Sequence, residues 1–103
     1  MDCIITIDIG TSAVRIFAFE MNGTAIGFAK GSYPTFHTEP DHSEQDPEQI
    51  FITTLYVLKN LLNEFIHPKK YTVASILIRS GSRLINVVLT PAKPTPSVVA
   101  VPK

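Results

Sequence analysis

Apolar positions in the first third of the chain follow the pattern of β-strands. Residues 3–9 form an almost continuous apolar run, which is typical of a strand that is covered on both faces. Residues 14–20 form a second apolar segment. Residues 24–31 then follow Asn22-Gly23, a pair that tolerates the positive φ angles of a tight hairpin turn. The pattern therefore predicts three consecutive antiparallel strands.

The middle of the chain changes to a helical pattern. Residues 32–45 are polar and contain prolines and histidines, which predicts a long surface loop. Asp46 suits a helix cap, Pro47 suits the first turn, and Gln49 stands three residues after the cap, as in a capping box. Apolar residues then recur at steps of three and four up to Pro68, where we expect the helix to end. These residues are Phe51, Leu55, Leu58, Leu62 and Phe65.

The last third contains one clear strand pattern and one weaker one. Residues 71–78 predict a fourth strand, which the helical crossover would place parallel to the first, and residues 84–89 allow a fifth. Four prolines crowd residues 91–103, so we expect an irregular tail after a domain over residues 1–90. The order β-β-β-α-β defines an α/β fold in which an α+β meander precedes a β-α-β unit. One sheet face then lacks a second helix to cover it.

Composition and charge narrow the range of partners. The chain has 103 residues with nine basic and nine acidic groups, which favours neither nucleic acid nor an anionic membrane as partner. Its one cysteine, Cys3, excludes an internal disulfide and fits a reducing compartment; we expect it to be a buried small apolar residue. No apolar run approaches the roughly 20 residues that a membrane-spanning helix needs. We therefore expect a soluble, cytoplasmic chain.

Polar residues interrupt the apolar pattern where the first strand ends. Asp8-Ile-Gly10-Thr11 places a carboxylate beside a tight turn. Backbone amides and hydroxyls in such a turn can bind phosphate oxygens, and the carboxylate can hold Mg²⁺. The same spacing also fits an ordinary β-turn in which Asp8 and Thr11 bond to the local backbone. Spacing alone leaves both interpretations open.

The order of several motifs resembles the N-terminus of the FGGY carbohydrate kinases. Asp8–Arg15 on a first hairpin is followed by Asn22-Gly23 and then by Ser43–Pro47 at the start of a helix. The similarity covers residues 3–78, and around residues 44–51 it is greatest to the gluconokinase branch. It implies part of a ribonuclease H-like, actin-like ATPase domain. It also implies ATP-dependent phosphorylation of gluconate or a related sugar acid or polyol, with Mg²⁺, in a cleft between two domains.

The resemblance also implies roles for individual residues. Asp8 would hold Mg²⁺, directly or through water. Gly10, Thr11 and Ser12 would form the first phosphate loop, with Thr11 also close to the acceptor, and Arg15 would hold the nucleotide phosphates. The catalytic aspartate of the family lies farther along than residue 103. We therefore expect no catalytic residue in this chain, and no activity from the chain alone.

Other features favour structural interpretations or a different class of function. Helix capping explains Glu44–Pro47 better than substrate contact does. After residue 78 the chain departs from the family: it has no histidine in residues 79–91 and no tryptophan at all. The alternative is a non-catalytic α+β binding or self-association module. The uncovered sheet face would serve it, and unpaired sheet surface favours a homo-oligomer.

Overall fold

The computed structural model describes the backbone of residues 1–33, 36–39, 42–44, 46–89 and 94–100. It contains eight strands and one α-helix within these residues. They are β1 Asp2–Ile9, β2 Ala13–Glu20, β3 Ala25–Ser32, β4 Phe36–Glu39, β5 His42–Glu44, α1 Pro47–Leu61, β6 Thr72–Ser80, β7 Arg83–Leu89 and β8 Pro94–Ala100.

Six of the strands form one mixed sheet in the order β3-β2-β1-β6-β7-β8. Strand β1 runs antiparallel to β2 and parallel to β6, which the chain reaches through α1. This confirms the predicted meander and the predicted crossover to a parallel fourth strand. The fifth strand, β7, is present and turns back antiparallel on β6. Gly81 makes this turn possible, because its φ of 60° is a left-handed conformation that favours glycine.

The hairpin between β2 and β3 forms as its sequence predicts. Gly23 has a φ of 93°, and its N–H donates to the carbonyl of Glu20 at 2.9 Å. The side-chain Oδ1 of Asn22 accepts from the N–H of Thr24 at 2.9 Å. The Asn-Gly pair therefore supplies both the backbone conformation and a local hydrogen bond that closes the turn.

Helix α1 also begins as predicted and ends in an irregular turn. The Oδ1 of Asp46 accepts from the N–H of Glu48 at 2.9 Å, and Pro47 occupies the first turn. A π-helical turn over Leu62–Ile66 follows α1, and the His67 N–H donates to the carbonyl of Leu62 at 2.8 Å. The helical segment thus stops just before Pro68, whose ring cannot continue a helix without distortion.

The helix covers one face of the sheet, and the core lies between them. Residues of alternating position on β1 and β2 point to α1 and are almost fully buried. Cys3 is 0% exposed, as expected of a small apolar residue, and burial raises the pKa of its thiol, with a further rise from Asp2. The buried cluster comprises Cys3, Ile5, Ile7, Val14, Ile16, Ala18, Tyr33, Val57, Leu61 and Ile66.

Two glycines on β3 let the helical segment approach the sheet closely. A β-carbon on Gly27 would lie 2.3 Å from Cγ of Phe65, and one on Gly31 would lie 2.5 Å from Cγ2 of Val57. Both distances are far below van der Waals contact. Any larger residue would therefore push the helical layer away from the sheet.

Three expectations from the sequence require correction. The predicted loop over residues 32–45 contains a hairpin, β4 with β5, because main-chain pairing does not require apolar side chains. The predicted irregular tail contains β8, which pairs with β7 at the sheet edge. Its two prolines, Pro94 and Pro96, are two residues apart, so their missing donors lie on the same side of an edge strand. Residues 34–35, 40–41, 45, 91–93 and 101–103 lie outside the described part of the chain.

The third correction concerns β1, which is not covered equally on its two faces. Its odd-numbered residues from Cys3 to Ile7 are buried under α1, whereas Ile4 and Thr6 are half-buried and Asp8 is exposed.

Within the described residues, no helix is long and apolar enough to cross a membrane.

Candidate functional site

The polar turn between β1 and β2 is held by backbone hydrogen bonds on both sides. The Gly10 N–H donates to the carbonyl of Ala13 at 3.0 Å, which closes the turn on itself. The N–H of Tyr33 donates to the carbonyl of Ser12 at 3.1 Å, which ties the end of β3 to the same turn. The position of the turn is therefore determined by the sheet, although Thr11 and Ser12 are themselves exposed.

A polar recess opens where this turn meets the end of β6. It has a volume of about 550 Å³. Its walls come from the end of β1, the turn after it, the first part of α1 and the turn after β6. The lining residues are Asp8, Ile9, Gly10, Thr11, Ile50, Arg79, Ser80 and Gly81.

Arg15 borders the recess from the neighbouring strand. It is the cross-strand partner of Asp8, so the two side chains lie on the same sheet face. A β-carbon at Gly10 would lie 3.9 Å from Nη1 of Arg15 and 3.0 Å from the carbonyl oxygen of Ala13. The guanidinium group therefore reaches the turn itself, and a side chain at position 10 would crowd the backbone carbonyl of Ala13.

The structure brings together most of the residues that the sequence singled out. Asp8, Gly10 and Thr11 line one recess, and Arg15 adjoins it. Ser12 contributes its carbonyl to the bond with the end of β3. The N–H of Gly10 is engaged within the turn, so Gly10 contributes space to the recess, not a backbone donor. The hydrogen bond of Asp46 to the helix backbone supports the capping interpretation of the Glu44–Pro47 motif.

Sequence reasoning missed the residues that β6 contributes. Arg79 is the parallel partner of Asp8, and Ser80 and Gly81 follow it into the same recess. A signal for them was present in the prediction that the fourth strand lies beside and parallel to the first. The carboxyl ends of parallel neighbours meet at one edge of the sheet, and there the residues that follow each strand come together.

Tyr33 is a second residue that sequence reasoning missed. It is 6% exposed, and within the described residues its hydroxyl has no hydrogen-bond partner. Burial raises the pKa of this phenol, and the negative charge of Asp8 raises it further, whereas Arg15 opposes the rise. The phenol therefore stays neutral at ordinary pH and experiences the charges of both site residues.

The residues at the recess fit Mg²⁺ in the form that nucleotides bring with them. Asp8 offers one exposed carboxylate, and Thr11 offers a hydroxyl beside it. Mg²⁺ in phosphoryl-transfer sites is commonly held by one or two carboxylates together with substrate phosphates and water. The described residues contain no group of three or more His, Cys, Asp or Glu side chains that could hold a metal ion by themselves. Asp8 would thus supply one ligand to Mg²⁺, and the phosphates of the nucleotide and water would supply the others.

The mixed sheet and its crossover helix form part of the actin-like ATPase fold that solved sugar kinases share. Among solved structures, the gluconate kinase from Lactobacillus acidophilus superposes with a TM-score of 0.65 over 89% of this chain and 18% of that one. Its sequence is 23% identical, so this likeness concerns the fold alone. The comparison confirms the fold class predicted from the sequence.

Sequence comparison identifies the family. Residues 3–83 match the N-terminal domain of the FGGY family of carbohydrate kinases, and the chain belongs to that family. It is 39% identical over 67 residues to the xylulose kinase of Staphylococcus xylosus, covering 65% of this chain and 14% of that protein. It is 37% identical over 67 residues to the glycerol kinase of Leptospira biflexa, covering 64% of this chain and 14% of that protein. The chain thus spans about one seventh of the length of these relatives.

Proposed function

We propose that this chain forms the phosphate-binding start of a kinase that transfers a phosphoryl group from ATP to a hydroxyl group of a sugar, a sugar acid or a polyol. The observation that carries the proposal is the recess at the end of β1, in which Asp8, Gly10 and Thr11 meet beside Arg15. A carboxylate, a hydroxyl, a glycine turn and a guanidinium group are suited to hold a polyphosphate and its Mg²⁺.

Each residue then has a separate task in the proposed site. Asp8 holds Mg²⁺, directly or through water, and Mg²⁺ neutralises charge on the phosphates when it is bound. Arg15 donates charge-assisted hydrogen bonds to phosphate oxygens. Gly10 keeps the turn narrow enough for the phosphates to approach, and Thr11 and Ser12 offer hydroxyl donors, Thr11 on the side of the acceptor. A base for the acceptor hydroxyl would come from residues outside these 103.

For the acceptor we propose gluconate, with xylulose and glycerol as the alternatives. The motif around residues 44–51 supports the sugar acid, because it resembles the gluconokinase branch of the family. The xylulose kinases and glycerol kinases among the relatives support the neutral acceptors. We further propose a cytoplasmic location, where ATP and such acceptors are available.

A chimeric enzyme tests the proposed function. Residues 3–83 replace the matching N-terminal segment of the Staphylococcus xylosus xylulose kinase, and ADP release is measured with xylulose, glycerol or gluconate. We expect ATP-dependent turnover by the chimera and none by the 103 residues alone, because phosphoryl transfer needs an aligned acceptor and a base besides a phosphate clamp. A chimera that melts cooperatively but has no turnover would contradict the proposal, as would turnover by the 103-residue chain.

The second candidate function is self-association, and two exposed apolar surfaces favour it. On the sheet face away from α1, the Phe17 ring lies 4.7 Å from that of Phe28, which is 46% exposed. On the other side, an apolar groove of about 350 Å³ separates α1 from β6 and β7, and Phe51 at its rim is 62% exposed. Contiguous apolar surface of this kind is typical of interaction sites.

Sedimentation velocity over a concentration series distinguishes a self-associating chain from a monomeric one. If the groove mediates association, we expect a concentration-dependent dimer that Phe51→Glu converts to monomer, since a buried, unpaired carboxylate opposes association. The reciprocal variant is Phe28→Glu, which adds the same charge to the opposite face and should leave a groove-mediated dimer intact; loss of the dimer in Phe28→Glu alone would assign association to that face instead. A wild-type chain that sediments as a monomer at all concentrations would rule out self-association.

A further inference from the structure

Charged side chains form a row across the sheet at the level of Asp8. Asp8 pairs with Arg15 on one side and with Arg79 on the other, and Arg15 pairs in turn with Lys30. Cross-strand partners point to the same face of a sheet, so all four side chains lie on the face away from α1. All four are exposed. This basic row therefore contains three cations and one carboxylate.

The basic row has a net positive charge. One carboxylate balances one of the three cations, and each of the other two adds positive potential at the same edge of the sheet. Arg15 and Arg79 are two strands apart, which places their backbones roughly 10 Å from each other. Arginine side chains are long enough to close much of that gap over Asp8.

The position of Arg79 distinguishes it from an ordinary surface arginine. It lines the same recess as Asp8, Gly10 and Thr11, at the end of the strand parallel to β1. A planar guanidinium group presents paired donors that match the oxygens of a phosphate or a carboxylate. Two guanidinium groups beside one carboxylate give this site a net positive charge. That charge disfavours the binding of Mg²⁺ without phosphate and favours an anionic ligand.

We propose that Arg79 is a second guanidinium group of this site and that Arg15 and Arg79 together hold one oxyanion of the substrate over Asp8. This inference rests on the proposed function, since it assigns a further ligand contact to the same recess. The oxyanion could belong to a phosphate of the nucleotide or to the carboxylate of a sugar acid. The recognising chemistry is the same in both cases.

Titration of the ¹⁵N-labelled 103-residue chain by NMR tests the proposal, with inorganic pyrophosphate and gluconate as probes and sorbitol as the neutral counterpart of gluconate. We expect Arg79→Ser to weaken the binding of at least one anion by roughly tenfold, the usual effect of losing charge-assisted hydrogen bonds. The matched control is Lys69→Ser, which removes one positive charge from an exposed residue just before β6, at the end of that strand opposite the recess. It should change affinity by less than about twofold, as expected of a distant, screened charge.

The pattern of losses identifies the oxyanion. A loss confined to pyrophosphate assigns the pair of arginines to phosphate, and a loss confined to gluconate assigns it to the carboxylate of the acceptor. Two results would overturn the inference: neither anion binds the wild-type chain, or Arg79→Ser binds both anions as the wild type does. Sorbitol that binds as well as gluconate would exclude the acceptor carboxylate as the oxyanion. If Arg15→Ser loses affinity while Arg79→Ser keeps it, the proposed phosphate site stands and only the role of Arg79 is refuted.

Discussion

Replacing Asp8 by asparagine should lower the turnover of the chimeric kinase by roughly 100-fold or more while leaving its fold intact. The side chain is exposed, so the substitution removes a charge without disturbing the core. Loss of a group that stabilises charge in the transition state typically costs two to three orders of magnitude in rate. ADP release at saturating Mg²⁺-ATP measures the change, and circular dichroism melting checks the fold.

The same strand provides the control for this prediction. Asp2 is also exposed and lies at the opposite end of β1, remote from the recess. Asp2→Asn therefore removes an identical charge from the same element, and turnover should stay within about twofold, as for a screened surface charge. Equal losses in Asp2→Asn and Asp8→Asn would mean that overall charge, and not a metal and phosphate site, determines the rate.

Truncating Leu61 should cause the largest loss of stability. Its side chain is 0% exposed and lies in the cluster between the helical segment and the sheet. Leu61→Ala removes apolar contacts and leaves a cavity, which costs about 2–5 kcal/mol in well-packed cores. Since small domains are stable by only about 5–15 kcal/mol, such a loss is a large fraction of the total. Urea denaturation of the 103-residue chain measures the change.

A second leucine of α1 controls for the substitution itself. Leu55 is 49% exposed at the groove beside β6. Leu55→Ala makes the same chemical change in the same helix but opens little cavity, and alanine favours the helix. We expect it to cost less than about 1 kcal/mol, as surface substitutions usually do. Similar costs for the two variants would show that the helix does not pack on the sheet as described.

Much of the fold could be predicted because its signals are local. The Asn22-Gly23 turn, the cap at Asp46 and the stop at Pro68 act through neighbouring residues, and each acts in the structure as expected. The hairpin β4–β5 and the edge strand β8 were missed. Their pairing depends on main-chain hydrogen bonds, which polar and proline-rich segments can make without an apolar pattern to reveal them.

The candidate site likewise contains residues that a local motif predicted and residues that only the pairing of distant strands brings to it. A single motif, Asp8-Ile-Gly10-Thr11, contains three of the site residues because they are close in sequence. Arg79 is 71 positions from Asp8 and becomes its neighbour only because β6 pairs with β1 in parallel register. Tyr33 has no local signal either, since its burial beside these charges depends on how β3 passes the turn.

By itself the sequence determined the strands of the meander, the start of the helix and the glycine turn that follows Asp8, since each depends on the conformational preferences of adjacent residues. Only the tertiary structure decided which face of the sheet the helix covers and which residues meet at the recess. Both outcomes depend on strand order and register, and those are set by packing over the whole core, for example by Phe65 against Gly27.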